Sequence, residues 1–225
     1  YITPSESSKS QLINMGIKEK KIAIIANPIN NSFFKKLYKK NLKKRNTLRN
    51  LYGISQDDLC FTFVGQLISR KRILETANLV KNFSKVSDQK IYFIICGHGD
   101  LLNDLNKFIS NNTEINYLIF ENLNEEKLSE IYTISDTLLL LSKNEPWGMV
   151  INEAMIHNLP IIASREVEAS NYYRDKYEGL TIAKFEYINN SLIKTHLNKF
   201  INQEKYFEDP IDAKSIANKI VSFIK

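Results

Sequence analysis

Short apolar runs recur along the chain after residue 53, and a helical or irregular segment separates each run from the next. The runs are mostly β-branched or aromatic and are continuously apolar, which is typical of strands buried on both faces. Parallel strands joined by right-handed crossovers place helices on both faces of their sheet. The pattern therefore predicts an α/β fold with a parallel sheet, whose strands are residues 59–64, 91–96, 115–120, 137–141, 160–163 and 180–183.

The first 52 residues show shorter patterns. Ser5 is a typical N-cap residue and Gly16 is a typical glycine at the end of a helix, so residues 5–15 are predicted to form a short helix. Residues 21–28 predict a strand that ends at Pro28, because proline cannot donate a hydrogen bond to a strand ladder.

The chain is basic, with 31 Lys and Arg against 25 Asp and Glu, and the excess lies in one segment. Residues 35–49 carry eight Lys or Arg and no acidic residue. Phe34, Leu37, Tyr38 and Leu42 recur there near helical spacing, which predicts a basic amphipathic helix. Such a helix can lie on anionic lipid, or it can pack its apolar stripe on the domain and leave a solvated basic face. Both interpretations stay open.

The stretch LLLLSKNEPWGMVINEAMIHNLP, residues 138–160, combines a buried strand with a helix that follows at once. Pro146 ends the strand, since proline cannot extend a central ladder. On the helix, Glu153 falls off the apolar stripe and is free to point at a ligand. The first turn, near Gly148 and Met149, has unsatisfied N–H groups and the positive end of the helix dipole, and glycine has no Cβ to block close approach. The stretch therefore predicts an anion site.

Within this stretch, Glu145 and Glu153 frame a Glu-x7-Glu motif in the phrase EPWGMVINEAM, and LPIIAS follows it. On spacing alone, a Glu145 that complements the helix dipole and a solvated Glu153 explain the pair equally well. The whole phrase, however, resembles the donor-site signature of retaining GT-B glycosyltransferases (family 4-like, glycosyl transferases group 1), in their C-terminal, donor-binding lobe. The resemblance implies that Glu145, as a catalytic residue, lies by the donor sugar and that Glu153 holds the ribose. It also implies that backbone N–H groups face the diphosphate from Trp147, Gly148, Met149 and Val150.

Ligands of open parallel sheets bind outside the carboxyl ends of the strands, so the loops there carry the other candidates. The loop that begins with Gly65 and Gln66 resembles the family pattern Gly-Arg-Leu-x-x-x-Lys, although Gln66 stands where arginine is usual. Lys71 matches the lysine and is expected to act in catalysis by neutralising the diphosphate leaving group. Arg70 or Arg72 either replaces the missing arginine or is a solvated cation.

Two further loops are expected beside the nucleotide. The turn Gly97-His98-Gly99 lets backbone approach a ligand closely, and the resemblance places it next to the nucleotide. The loop after the next predicted strand, with Phe120 and Leu123, is expected to flank the base. An exposed histidine in a turn is common, so His98 is given no chemical role.

GT-B enzymes have two Rossmann-like lobes, and the resemblance covers the linker and the donor-binding lobe. Residues 1–52 are expected to be the end of the preceding lobe and a basic helical linker, and residues 53–225 a Rossmann-like nucleotide-sugar-binding domain. Because the chain begins with Tyr1, we expect a fragment that is inactive without its acceptor-binding lobe.

The resemblance implies a hexosyltransferase that moves a sugar, with retention, from a nucleotide-diphosphate sugar to a saccharide or lipid-linked acceptor in surface polysaccharide or glycolipid synthesis. A sugar-nucleotide epimerase of the same fold and a non-catalytic nucleotide-binding module are the alternatives. The sequence has no Asp-x-Asp pair and no His/Cys cluster, so no metal or other cofactor is expected.

Cys60 and Cys96 lie inside apolar, strand-like runs and are expected to be reduced thiols. No signal peptide is visible, and no run approaches the roughly 18 apolar residues of a membrane span. These features indicate a cytoplasmic protein, with residues 35–49 as a means of peripheral attachment to the inner face of the membrane. No zinc spacing, helix-turn-helix or single-strand platform is present, so a nucleic-acid partner is not expected.

Overall fold

The computed structural model describes residues 1–200 and 209–224, in which helices alternate with short strands. The elements in these ranges are β1 (Ile2–Thr3), α1 (Glu6–Asn14), β2 (Ala23–Ile24), α2 (Asn31–Leu42), α3 (Arg45–Leu51), β3 (Leu59–Val64), α4 (Ile73–Ser84), β4 (Ile91–Cys96), α5 (Leu102–Ser110), β5 (Asn116–Phe120), α6 (Glu125–Ile134), β6 (Thr137–Leu140), α7 (Met149–Ile156), β7 (Ile161–Ser164), α8 (Glu168–Tyr173), β8 (Leu180–Ala183), α9 (Asn190–Phe200) and α10 (Ala213–Ile224).

The central sheet has six strands in the order β5-β4-β3-β6-β7-β8, and every neighbouring pair is parallel. Counted from its first strand, the sheet has the order 3-2-1-4-5-6 of a doubly wound Rossmann fold. All six predicted strands are present, so the predicted α/β fold is confirmed. The strand order reverses between β3 and β6, where Phe61 pairs with Thr137 and Thr62 with Leu138.

Each face of the sheet is covered by its own apolar core. Successive residues of β3 alternate between the two faces, so Cys60 and Val64 belong to one core and Phe61 and Phe63 to the other. Helices α6, α7 and α8 contribute to the first core, and α4, α5 and α9 contribute to the second. Helices therefore lie on both faces, as the continuously apolar strands predict.

The amino-terminal segment forms a small structure of its own. The predicted first helix is present as α1, and the Ser5 hydroxyl caps it by accepting a hydrogen bond from the Ser8 N–H at 3.2 Å. The predicted strand over residues 21–28 is shorter than expected: only Ala23 and Ile24 form β2. Its partner β1 is itself only two residues long, so the ladder has no further residues to pair.

The basic segment forms two helices instead of one. Phe34 and Leu37 of α2 are buried, and α2 packs against α6 and α7. Leu42 is 48% exposed, because the chain turns after it before α3 begins. The apolar stripe thus packs on the domain, as the second interpretation predicts, except at Leu42.

Three of the basic side chains in this segment have structural partners: Lys35 pairs with Asp209, and Arg45 and Arg49 both bind Asp136. Arg49 is fully buried, and its guanidinium donates to the Ile134 carbonyl at 2.8 Å and to the Asp136 carboxylate. Arg45 donates to the same carboxylate at 2.6 Å. The ion pairs with Asp136 attach α3 to the turn between α6 and β6. The division of the chain at residue 52 stays a prediction. Across residues 1–200 and 209–224, no helix is long and apolar enough to cross a membrane.

Candidate functional site

The loops after β3 and β6 meet where the strand order reverses, which is where doubly wound sheets bind their ligands. Lys71 lies in a short 3-10 turn, residues 69–71, after β3, and Glu145 lies in the loop after β6. The Lys143 N–H donates to the Arg70 carbonyl at 2.6 Å and joins the two loops directly. The candidate residues from two distant parts of the chain are therefore in contact.

Glu145 forms a cluster with two cations, one buried and one exposed. The Lys71 ammonium and the Arg70 guanidinium both donate to Glu145 Oε2, the latter at 2.9 Å. Glu145 and Lys71 are each 8% exposed, whereas the Arg70 side chain is 42% exposed. From the sequence, Glu145 and Lys71 were predicted to act as separate groups. The structure pairs them. With Arg70, the cluster has two positive charges and one negative charge, so one positive charge is in excess where the two loops meet.

Arg72 and Glu166 hold the segment that leads into Glu145. Arg72 donates to Glu166 Oε1 at 3.1 Å and to the Leu141 carbonyl at 3.2 Å, and its guanidinium lies 4.3 Å from the centre of the Phe185 ring. Glu166 also accepts the Asn144 N–H on its carboxylate and the Glu145 N–H on its carbonyl. Arg72 is therefore not a solvated cation. Glu166 was not predicted from the sequence. The only signal for it was that its charge is opposite to that of Arg72 and that it follows a strand, β7, of the same sheet.

Helix α7 begins at the predicted place, with Gly148 before it at a φ of 94°. A Cβ there would lie 3.0 Å from a methyl group of Val167, so both the backbone angle and the space favour glycine. The first-turn N–H groups of Met149 and Val150 have no acceptor within the helix. Trp147 is 3% exposed and its indole N–H donates to Asn152 Oδ1 at 3.2 Å. The Trp147 side chain is therefore part of the core.

Glu153 is not free, contrary to the expectation from the helix stripe. The Tyr132 hydroxyl donates to Glu153 Oε2 at 2.6 Å. Helix α7 is buried over more than one stripe, since Asn152 is also fully buried. Burial raises the pKa of Glu153, and the hydrogen bond from Tyr132 opposes that rise. A carboxylate has further lone pairs, so the second oxygen of Glu153 can still accept hydrogen bonds.

A cavity of about 300 Å³ opens at the carboxyl ends of β3, β4 and β5. The residues that line it are Val64, Gly65, Gln66, Cys96, Gly97, His98, Glu121, Asn122, Leu123 and Leu128.

Four predicted donor-site residues thus lie together in this cavity. A Cβ at Gly97 would lie 1.9 Å from the Gly65 carbonyl oxygen, so the absent side chain allows two loops to pack backbone to backbone. Phe120 differs from Leu123: its ring packs edge-on against Tyr52, at 5.7 Å between ring centres, in the core beside the cavity.

Among residues 1–200 and 209–224, no group of three or more His, Cys, Asp or Glu side chains could hold a metal ion. Cys60 and Cys96 are both buried and do not form a disulfide, as the sequence predicts. Burial raises the pKa of the Cys96 thiol to about 12. Cys96 therefore lines the cavity as a small apolar group, without thiolate character.

The doubly wound sheet carries a cavity and a charged cluster near the strand reversal, which is where α/β sheets of this class bind their ligands. Residues 44–224 match the family described as Glycosyl transferases group 1, and the chain belongs to this family. The six-stranded sheet with its flanking helices matches the lobes of GT-B glycosyltransferases.

Two curated relatives match part of the chain. The uncharacterized glycosyltransferase MJ1607 of Methanocaldococcus jannaschii is 27% identical over 168 residues, which are 72% of this chain and 41% of that protein. N-acetyl-alpha-D-glucosaminyl L-malate synthase of Bacillus anthracis is 26% identical over 119 residues, which are 52% of this chain and 30% of that protein. The chain thus spans less than half the length of either relative.

Many solved structures have the same fold, among them the following two. A glycosyltransferase from Rickettsia africae has a TM-score of 0.77 at 17% identity, over 99% of this chain and 62% of that chain. Anabaena HepE in complex with UDP-glucose has a TM-score of 0.71 at 17% identity, over 99% of this chain and 62% of that chain.

Proposed function

We propose that this chain is the nucleotide-sugar-binding lobe of a retaining glycosyltransferase. The observation that carries the proposal is the pairing of Glu145 with Lys71 and Arg70 where the strand order reverses. This site lies between the cavity beside β4 and the start of α7. Membership of the glycosyltransferase family favours a transferase over an epimerase or a non-catalytic nucleotide-binding module.

Each part of the donor has a proposed partner. The base enters the cavity beside Gly97 and Leu123, and Glu153 accepts hydrogen bonds from the ribose hydroxyls. The diphosphate faces the first-turn N–H groups of α7 and the excess positive charge of the cluster. Glu145 faces the hydroxyls of the donor sugar.

The charge that develops on the leaving diphosphate needs stabilisation in the transition state. Lys71 supplies it from a fixed position, because Glu145 already holds the ammonium in place. Arg70 supplies the second positive charge that Gln66 cannot, since Arg70 is directed at the same site. Arg72 cannot take that role, because Glu166 and the Leu141 carbonyl already bind its guanidinium.

The proposed acceptors are saccharides or lipid-linked saccharides of surface polysaccharide or glycolipid synthesis. Donor and acceptor must be held together for transfer, and lobe closure supplies that positioning in two-lobed enzymes. The acceptor-binding lobe is proposed to lie in sequence outside this chain. The chain by itself is therefore proposed to bind the donor without glycosylating an acceptor.

Glu153→Ala is expected to weaken the binding of UDP or GDP, whichever binds the wild-type chain, by about 10-fold or more. A carboxylate that accepts hydrogen bonds from ribose hydroxyls contributes roughly 1.5–3 kcal/mol. Calorimetric titration measures the affinity. Glu75→Ala removes an exposed carboxylate from α4 as the matched control and should bind like wild type. An unchanged affinity in Glu153→Ala contradicts the ribose assignment.

A second proposal concerns the basic surface, the exposed lysines of α2 and of the turn after it. Its members are Lys36, Lys39, Lys40, Lys43 and Lys44. Phe34 and Leu37 are already buried in the domain, so they do not insert into lipid. We propose that the basic surface adsorbs electrostatically to anionic headgroups, which would bring the enzyme to a lipid-linked acceptor.

Vesicles of phosphatidylglycerol are expected to bind the protein at low salt and to release it as salt rises. Each lysine near such a surface contributes about 1 kcal/mol, and the attraction fades over a Debye length of roughly 10 Å. Co-sedimentation compares the wild type with a variant that has Gln at Lys39, Lys40, Lys43 and Lys44. The matched control has Gln at four exposed lysines elsewhere, Lys18, Lys20, Lys85 and Lys107. If both variants sediment equally, the basic surface is only a solvated face.

A further inference from the structure

Helix α6 provides a buried hydroxyl that points at Glu153, the residue proposed to bind the ribose. Tyr132 is 1% exposed, and its hydroxyl donates to Glu153 Oε2 at 2.6 Å. Burial raises the pKa of Tyr132, and the neighbouring Glu153 carboxylate raises it further. The phenol therefore keeps its proton and acts as a donor. Leu128, one helical turn earlier on the same face of α6, lines the cavity.

The tyrosine ring rests against a second buried group, His157. The two ring centres are 5.1 Å apart, and His157 is 3% exposed. His157 Nδ1 lies 2.7 Å from the Glu153 carbonyl oxygen, and Nε2 lies 2.7 Å from the Ser129 hydroxyl. A carbonyl can only accept, so Nδ1 carries the proton and Nε2 accepts the hydroxyl hydrogen of Ser129. His157 thereby fixes both the ring of Tyr132 and the backbone of Glu153.

This network continues into helix α2. The Asn41 amide donates to the Ser129 hydroxyl oxygen at 3.1 Å, in a buried contact. Tyr38 also packs its ring against His157, with 5.5 Å between ring centres. The Ser129 hydroxyl and both ring nitrogens of His157 have hydrogen-bond partners in this network, so Tyr132 and Glu153 are held in place by contacts that do not involve a ligand.

We propose that Tyr132 is a positioning residue, which holds the Glu153 carboxylate in the orientation that accepts the ribose hydroxyls. The inference rests on the proposed function, since it assumes that Glu153 binds a ribose. The hydrogen bond occupies one carboxylate oxygen and leaves the other for the ligand. A carboxylate fixed in this way loses less side-chain freedom on binding than a mobile one, which is the physical source of the gain in affinity.

Tyr132→Phe tests the inference, because it removes the hydroxyl and keeps the ring. Calorimetry of the whole chain with UDP and with 2′-deoxy-UDP, and with the corresponding GDP pair, gives the affinity for each nucleotide and the ratio between them. We expect the variant to bind the ribonucleotide about 5- to 10-fold more weakly, which is the size of one ordinary hydrogen bond. The preference for ribose over deoxyribose should fall with it, which a purely structural change would not cause.

Tyr117→Phe is the matched control. Its hydroxyl is buried and has no hydrogen-bond partner within the described ranges, so its removal should change neither the affinity nor the ratio. Thermal unfolding of each variant verifies that it is folded. If the wild type prefers ribose and Tyr132→Phe keeps the same preference, the inference is overturned while the ribose assignment stands. If the wild type itself shows no preference, the ribose assignment and the inference both fail.

Discussion

Glu145→Ala is expected to destabilise the protein by roughly 3–5 kcal/mol, because it leaves the buried Lys71 ammonium without its partner. Lys71 is 8% exposed, so water cannot replace the lost carboxylate without local rearrangement. Urea denaturation at neutral pH measures the change in the free energy of unfolding. The effect is large for a residue in a loop, since most surface substitutions change stability by less than about 0.5 kcal/mol.

A double mutant separates this explanation from a general loss of loop structure. Lys71→Met removes the charge and keeps most of the side-chain volume, so adding it to Glu145→Ala should restore much of the lost stability. Glu166→Ala should destabilise the protein less than Glu145→Ala, because its partner Arg72 keeps a second acceptor and an aromatic contact. A cost below about 1 kcal/mol for Glu145→Ala, which is the range of an exposed ion pair, would show that Lys71 is not held by this carboxylate.

The pairing of Glu145 with Lys71 bears on the proposed donor site. The two side chains form a buried ion pair, and Arg70 adds a partly exposed cation. In the proposed donor complex, the diphosphate would meet a cluster that is already assembled and carries one excess positive charge. This preorganisation avoids the cost of ordering long cationic side chains during binding.

The strands could be predicted from the sequence because they are continuously apolar. Leu59–Val64 and Ile91–Cys96 have the predicted bounds, and each residue in them is buried. Where the bounds of the other strands of the central sheet differ, they differ by one residue at one end, as for Asn116–Phe120, or at both ends, as for Ile161–Ser164. Burial on both faces is a property of composition, so it is visible without an alignment or a structure.

The contacts between loops could not be predicted, because they join residues far apart in the chain. Lys71 and Glu145 are separated by 74 positions, and Arg72 and Glu166 by 94. Whether these charges meet depends on loop backbones that include Arg72 at a φ of 53° and Asn144 at a φ of 49°. Such conformations are uncommon for residues other than glycine, and no local sequence pattern predicted them.

The direction and partners of individual side chains also could not be predicted from the sequence. The Glu-x7-Glu phrase located the start of α7 correctly, but the spacing carried no information about Tyr132, which reaches Glu153 from another helix. The basic segment shows the same limit. Its period predicted one helix, whereas the surface that covers Phe34 and Leu37 was decided by α6 and α7.

The free energy of unfolding is expected to fall as the pH is lowered from about 6.5 towards 4, because two histidines are buried in neutral form. Burial lowers the pKa of His157 to about 4 and that of His196 to about 3, from an ordinary value of 6.5. The unfolded chain takes up these protons below about pH 6.5, whereas the folded protein does not. The stability is therefore complete above pH 6.5 and is lost as the pH falls towards the folded pKa values.

For His157 alone the loss amounts to something on the order of 3 kcal/mol, at about 1.4 kcal/mol per pH unit. The raised pKa of Glu153 acts in the opposite direction, because the folded protein takes up that proton first, and it offsets part of the loss. Urea midpoints at several pH values between 7 and 4 give the slope of stability against pH. His157→Gln removes one of the two groups and should flatten the slope by about half, even if it lowers stability at pH 7. His98→Gln, at an exposed position, should leave the slope unchanged. If His157→Gln keeps the wild-type slope, His157 is not buried as a neutral group, and the network that fixes Glu153 must be arranged differently.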